Sequence, residues 1–148
     1  MHITRYSDYA VRVLFYLALK PDRLVTIREI ADSYGISRNH LMKLVYQLNR
    51  MGYVETVRGK NGGLRLGQEP GGINLGLLIR ETEQDFELAE CFGSNNQCLI
   101  KPVCGIKHVL AEALKAFFDT LDGYTLADLL PEAKQPHLRR LLQIKMVD

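Results

Sequence analysis

No apolar run in this chain is long enough to cross a bilayer; the longest strongly apolar stretch, Val13 to Leu19, falls far short of a span. The opening residues, MHITRYSDYA, lack the basic-then-apolar pattern of an export signal. Together these absences predict a cytoplasmic protein with no membrane partner. There is no Gly-rich nucleotide loop, no nucleophile motif and no pair of carboxylates near a plausible pocket, so the usual grounds for an enzyme are missing. Internal repeats and low-complexity segments are missing too. Cysteine is confined to one stretch, CFGSNNQCLIKPVC, which holds Cys91, Cys98 and Cys104 within fourteen residues. Three thiols cannot pair off, and a reducing compartment keeps them reduced, so metal ligation or redox chemistry fits them better than structural disulfides.

What remains is the composition of a soluble globular protein: 148 residues, 47% hydrophobic and 24% charged. The formal charge of +2 conceals a division. Residues 1–67 carry eleven Lys or Arg against five Asp or Glu, and residues 68–148 carry eight against twelve. A basic front half on an acidic back half is the pattern of a nucleic-acid-binding module with an attached control region.

The periodicities predict a mainly α chain with a small β-hairpin. After Ser7-Asp8, Ala10, Val13, Leu14, Leu17 and Ala18 recur at helical spacing up to Lys20-Pro21. Thr26 and Glu29 form a capping-box pattern that opens a second helix, which Gly35 ends. Ser37 caps a third, RNHLMKLVYQLNRM, with Leu41, Leu44, Val45 and Leu48 facing inward and Gly52 as its stop. Two short strands follow, around Tyr53–Val57 and Leu64–Leu66, with Gly59, Asn61, Gly62 and Gly63 expected to supply positive φ between them. This is the order of a winged helix-turn-helix. After the breaker-rich QEPGG, residues 73–83 read as a helix and the acidic run 81–90 as a solvated loop. A long helix is expected from about Pro102 to Leu121. Its apolar stripe, from Ile106 through Val109, Leu114 and Phe117 to Leu121, is wider than one small core needs, which points to a dimer. The predicted organisation is a winged helix-turn-helix domain over 1–67 and a linker, helix and cysteine loop over 68–105. The dimerisation helix and a short helix at Tyr124–Leu130 occupy 106–130, and 131–148 is a tail.

In a helix-turn-helix the first turn of the second helix meets base edges. Here that turn is Ser37-Arg38-Asn39-His40, with Lys43 one turn on; Arg can fork onto guanine and Asn onto adenine. Thr26, heading the first helix of the motif, joins these candidates. On the wing, Arg58, Lys60 and Arg65 surround a glycine-containing loop, including Asn61 and Gly62, small enough to approach phosphates or a minor groove. Met42 and Met51 read as core or interface filler.

The thiol spacing C-x6-C-x5-C matches neither zinc knuckles nor bacterial ferredoxin runs. It suits a loop wrapped around something larger than one ion, with Gly93 to Asn96 pliable and Cys104 near a helix start that favours thiolate. Thiolates select zinc or iron–sulfur clusters. Three of them leave one coordination place for a weaker ligand, and the local candidates are Glu90 and His108.

TIREIADSYGISRNHLMKLVYQLNRMGYVETVRGKNGGLRLG, followed by the clustered cysteines, a long helix and YTLADL, resembles the IscR/NsrR superfamily of iron–sulfur winged-helix repressors, and within it the nitric-oxide-sensing branch. The resemblance spans roughly residues 1–130. It implies a cytoplasmic homodimer that binds palindromic double-stranded operator DNA in its iron–sulfur form and is released when nitric oxide nitrosylates the cluster. A 4Fe–4S cluster with an aspartate from the other subunit is the implied arrangement, and the position ahead of the first helix is Asp8 here. The 2Fe–2S branch has a histidine three residues after its last cysteine; Lys107 stands there instead. The first cysteine gap is six residues where close relatives usually have five. An IscR-like regulator of iron–sulfur homeostasis, or a zinc or thiol-redox regulator without iron, are the competing readings.

Overall fold

The structure, a computed structural model, describes residues 2–144. Helix α1 (Arg5–Ala18) buries Ala10, Val13, Leu14 and Leu17 on one face, the stripe expected from their spacing. It starts earlier than the sequence suggests. Thr4 is the N-cap, its hydroxyl accepting from the Ser7 N–H, so Asp8 lies inside the first turn and is not the cap. A carboxylate there still complements the positive end of the helix.

Helices α2 (Ile27–Tyr34) and α3 (Arg38–Arg50) form the helix-turn-helix. The capping box at Thr26 and Glu29 is formed in both directions. Gly35, at φ 65°, makes the left-handed turn between the helices. Ser37 occupies the N-cap position of α3 but makes no side-chain cap, leaving its hydroxyl free. Leu41, Leu44, Val45 and Leu48 are all buried; each full burial stabilises by about 1.5–3 kcal/mol.

Strands β1 (Val54–Val57) and β2 (Gly63–Leu66) pair antiparallel with Val54 opposite Leu66 and Glu55 opposite Arg65. Val25 adds a rung, exchanging backbone hydrogen bonds of 2.9 and 2.7 Å with Leu64. Of the loop residues expected at positive φ, only Gly59 is there, at 114°. Gly62 is needed for a different reason: a Cβ on it would lie 2.2 Å from the Val57 carbonyl oxygen.

The chain then returns to the same core. Helix α4 (Leu75–Thr82), capped by Asn74, buries Leu78 against α1, and Ile73, Leu126 and Leu130 join the cluster built by α1–α3. Helix α5 (Ile106–Asp122) starts four residues later than Pro102, because residues 98–104 form local turns and Gly105 takes the N-cap position. Among its seventeen residues only Phe118 is buried. Its far end is anchored to α4 by the Arg80–Asp122 fork at 2.6 and 2.9 Å, with the Arg80 guanidinium 4.2 Å above the Phe118 ring. The segment at Tyr124–Leu130 is a single 3-10 turn, Ala127–Leu129, rather than a helix. Beyond Pro131, helix α6 (Gln135–Leu141) packs back onto the head. Arg139 donates to the Leu19 carbonyl, Ser33 donates to the Leu142 carbonyl, and Ile144 is buried in the core.

Candidate nucleic-acid interface and metal centre

The side chains expected to read DNA stand on one outward face. Ser37, Arg38, Asn39, His40 and Lys43 are all exposed on the first turns of α3, because the apolar positions between them face the core. Arg38 is not wholly free: Asp32 on α2 lies 3.6 Å from it and 3.6 Å from Arg28. Thr26 is exposed but its polar groups are engaged with Glu29, its N–H donating at 2.9 Å and its hydroxyl at 3.2 Å. Thr26 therefore offers a helix start more than a free hydroxyl.

On the wing, Arg58, Lys60 and Asn61 are exposed at the hairpin tip, with Gly62 beside them. Among the described residues neither Arg58 nor Lys60 has a carboxylate partner within 4.0 Å. Arg65 differs. Its guanidinium forks onto Glu55 across the ladder at 2.8 and 2.9 Å, which raises the Arg65 pKa and holds the Glu55 carboxyl below its usual range. The cationic tip is thus Arg58 and Lys60, and Arg65 reaches a phosphate only by exchanging partners.

One residue escaped the sequence reading. Arg5 is exposed on the first turn of α1 and lines a shallow groove with Tyr6, Tyr9, His40, Lys43 and Leu44. Met42 and Tyr46, 56% and 61% exposed, extend that surface, so Met42 is not core filler, whereas Met51 packs against the core. The sequence signal for Arg5 was its place at a helix start. Only packing of α1 beside α3 places it next to His40 and Lys43.

The thiols are free, with Cys91 and Cys104 half-buried and Cys98 exposed. Their segment is held mainly by local contacts: Asn96 Oδ1 accepts from the Cys98 N–H at 2.9 Å, and Cys104 N–H donates to the Ile100 carbonyl at 2.9 Å. Glu90 accepts from the Gln97 N–H at 2.6 Å, bracing the first cysteine gap. His108 is exposed on the first turn of α5. Asp8 is far from these in sequence and is gripped by Arg12 at 2.8 and 3.2 Å, with the guanidinium 5.6 and 5.8 Å from the Tyr9 and Tyr34 ring centroids. Burial pushes the Tyr34 phenol up to about 12, so it stays neutral beside that pair. Among the described residues, no three His, Cys, Asp or Glu side chains converge closely enough to hold one metal ion. The donor chemistry nonetheless suits an iron–sulfur cluster: three unpaired thiols on one pliable segment that hydrogen-bonds mostly to itself.

Residues 3–132 match the family model of the Rrf2 iron-dependent transcriptional regulators. The chain belongs to the Rrf2 family. Its curated relatives include the HTH-type transcriptional regulator NsrR of Bacillus licheniformis, 56% identical over 144 residues that cover 96% of this chain and 99% of that one. The NsrR of Bacillus subtilis is 51% identical, covering 98% and 99% respectively. Among solved structures, the IscR of T. potens superposes with a TM-score of 0.72 at 27% identity, covering 100% of this chain and 93% of that one. CymR, the global cysteine regulator of B. subtilis, does so at 0.66 and 27%, covering 87% and 95%. This Rrf2 member is therefore a DNA-binding transcriptional regulator with a winged helix, and not an enzyme.

Proposed function

We propose that the protein is a nitric-oxide-responsive repressor that occupies palindromic operators as a homodimer in its iron–sulfur form. The observation that carries the reading is the gathering of every thiol in the chain onto one segment, in a regulator 56% identical to an NsrR. In this reading Cys91, Cys98 and Cys104 hold the cluster, with the partner subunit's Asp8 as fourth ligand. When bound, the cluster supplies iron that nitric oxide attacks. Glu90 accepts from the Gln97 N–H and Asp8 from Arg12, so the choice of Asp8 rests on the likeness to the NsrR regulators. Arg12 orients the Asp8 carboxylate for that task.

Dimerisation is supported by surface that a single chain leaves uncovered. Leu99 and Val103 are 95% and 88% exposed, and Ile106, Val109 and Phe117 continue the apolar face along α5. A second copy would cover this face and set two α3 helices at the spacing of a palindrome. Arg58, Lys60 and Arg5 would neutralise phosphates while Arg38, Asn39 and His40 meet bases.

The test is an oxygen-free absorbance titration with nitric oxide, run beside a band-shift assay on promoter DNA. The expected result is bleaching of the cluster bands in step with release of DNA. DNA binding that persists after complete bleaching would refute the sensing role.

A further inference from the structure

The acidic run that the sequence reads as a solvated loop begins with three residues whose side chains are tied to other elements, Thr82 buried, Glu83 half-buried and Glu81 exposed. Glu81 and Thr82 end α4 and Glu83 is its C-cap, and together they reach two parts of the DNA-reading head, the start of the wing and the N-terminus of α1. Consecutive helical residues point about 100° apart, so one turn can serve three directions.

Glu81 accepts a hydrogen bond from the phenol of buried Tyr53, the residue that leads into the wing. Burial and the Glu81 carboxylate both push the Tyr53 phenol up, which keeps it a neutral donor. Thr82 is buried, and its hydroxyl donates to the Leu78 carbonyl at 2.8 Å. Its one proton so placed, it accepts from the hydroxyl of Ser7, also 2.8 Å away and fully buried. Glu83 Oε1 accepts from both the backbone N–H and the hydroxyl of Thr4, each at 2.9 Å.

Thr4 and Ser7 are the N-cap and first turn of α1, the turn whose Arg5 and Tyr6 border His40 and Lys43 of α3. On its other side the hub ends the helix: Glu83 has extended backbone, φ −86° and ψ 146°, and the chain runs from it into the cysteine segment. An apolar helix contact needs none of these polar pairs, and a buried hydroxyl left unmatched is costly, so they fix α4 in one register.

We propose that Glu81, Thr82 and Glu83 are positioning residues through which the cysteine segment sets both the wing and the α1 N-terminus within a single subunit. The inference rests on the reading of residues 91–104 as the sensor. Reorganisation of that segment rotates the turn from which it springs. Because the three residues are consecutive, the two DNA-contacting elements shift together through contacts made within one subunit, beside any tie that the partner's Asp8 supplies.

Two measurements test it on the full chain. In protein prepared without the cofactor, Glu83→Leu is expected to speed amide exchange at residues 4–9 and also at residues 53–57, although among the described residues the Glu83 side chain bonds to Thr4 and not to the wing. Glu83→Gln, which keeps an acceptor, restores slow exchange at both. Faster exchange confined to residues 4–9 marks a local tie and overturns the hub.

The second measurement uses a palindromic duplex recovered from a random-sequence library by the wild-type protein. Its affinity for anaerobically loaded protein is compared before and after nitric oxide. Tyr53→Phe is expected to keep the visible absorbance yet cut the loaded-to-treated affinity ratio by about threefold to tenfold, the effect of one lost hydrogen bond. An unchanged ratio, or equal loss in both states, overturns the proposal. A wild type that ignores nitric oxide refutes the sensing reading instead, and the exchange result then decides the hub by itself.

Discussion

Lys60 and Arg65 share a hairpin and a charge sign, and they differ in what already holds them. Arg65 is forked onto Glu55, while Lys60 stands at the tip with no carboxylate partner among the described residues. Lys60→Ala is therefore expected to weaken binding to all duplexes and to lower the salt slope by about 0.9, the share of one phosphate contact. Arg65→Ala is expected to change that slope by less than half as much. Equal slopes measured by fluorescence anisotropy across a salt series would contradict the distinction. Glu29 offers a pH-resolved test at the same scale. The Arg23 fork, with help from the Thr26 N–H, holds its carboxyl below the usual range against the opposing pull of burial. A depressed carboxyl stabilises the fold at neutral pH, and the contribution vanishes as pH falls through its folded value. Glu29→Gln keeps the cap but loses the ion pair, so it should lower Tm at pH 7 by at most about 1 kcal/mol worth of stability. The gap should shrink progressively as pH falls below the ordinary Glu value of about 4.3, and a gap unchanged from pH 7 down to acid unfolding in thermal melts would contradict the assignment. Residues of this kind divide by legibility. The capping box was readable because both partners lie within one turn of chain. The Glu55–Arg65 pair was not, because the register across a glycine-containing loop decides which side chains face each other.

At the scale of elements, α1 to α3 were readable from apolar spacing and from their caps, and the wing from its two apolar pairs and its glycines. The start of α1 was misplaced by a few residues. Thr4, Ser7 and Asp8 are all competent caps, and the contact with Glu83, distant in sequence, selects Thr4. Helix α6 was hidden for a related reason. Pro131 and Pro136 suggest a tail, yet Pro136 sits in the first turn of α6, where a missing N–H costs nothing, and its leucines gain meaning only against the core they meet. Ending the chain after Pro131 removes buried Ile144, the packing of Leu138 and Leu142, and the bonds to Leu19 and Ser33. The expected loss is about 2–4 kcal/mol, read as a lower denaturant midpoint. An unchanged midpoint would show that α6 is an ornament to the head.

For the whole molecule, the division between a basic front and an acidic back in sequence only partly survives folding. Part of the acidic back half is built into the head: Glu81 and Glu83 hold Tyr53 and Thr4. The thiol cluster was the most legible functional feature, since no other cysteine competes for the role. The proposed fourth ligand was not, because among the described residues the thiols do not gather with a carboxylate into one ligand set within a single chain. In the proposed function those thiols bind iron and sulfide in the form that occupies DNA. The most direct measurement is visible absorbance with iron and acid-labile sulfide analysis of anaerobically purified protein, wild type beside Cys98→Ala. The expected result is a brown wild type containing iron and sulfide and a colourless variant that has lost both along with promoter binding. A colourless, sulfide-free wild type that still binds its promoter fully would contradict it.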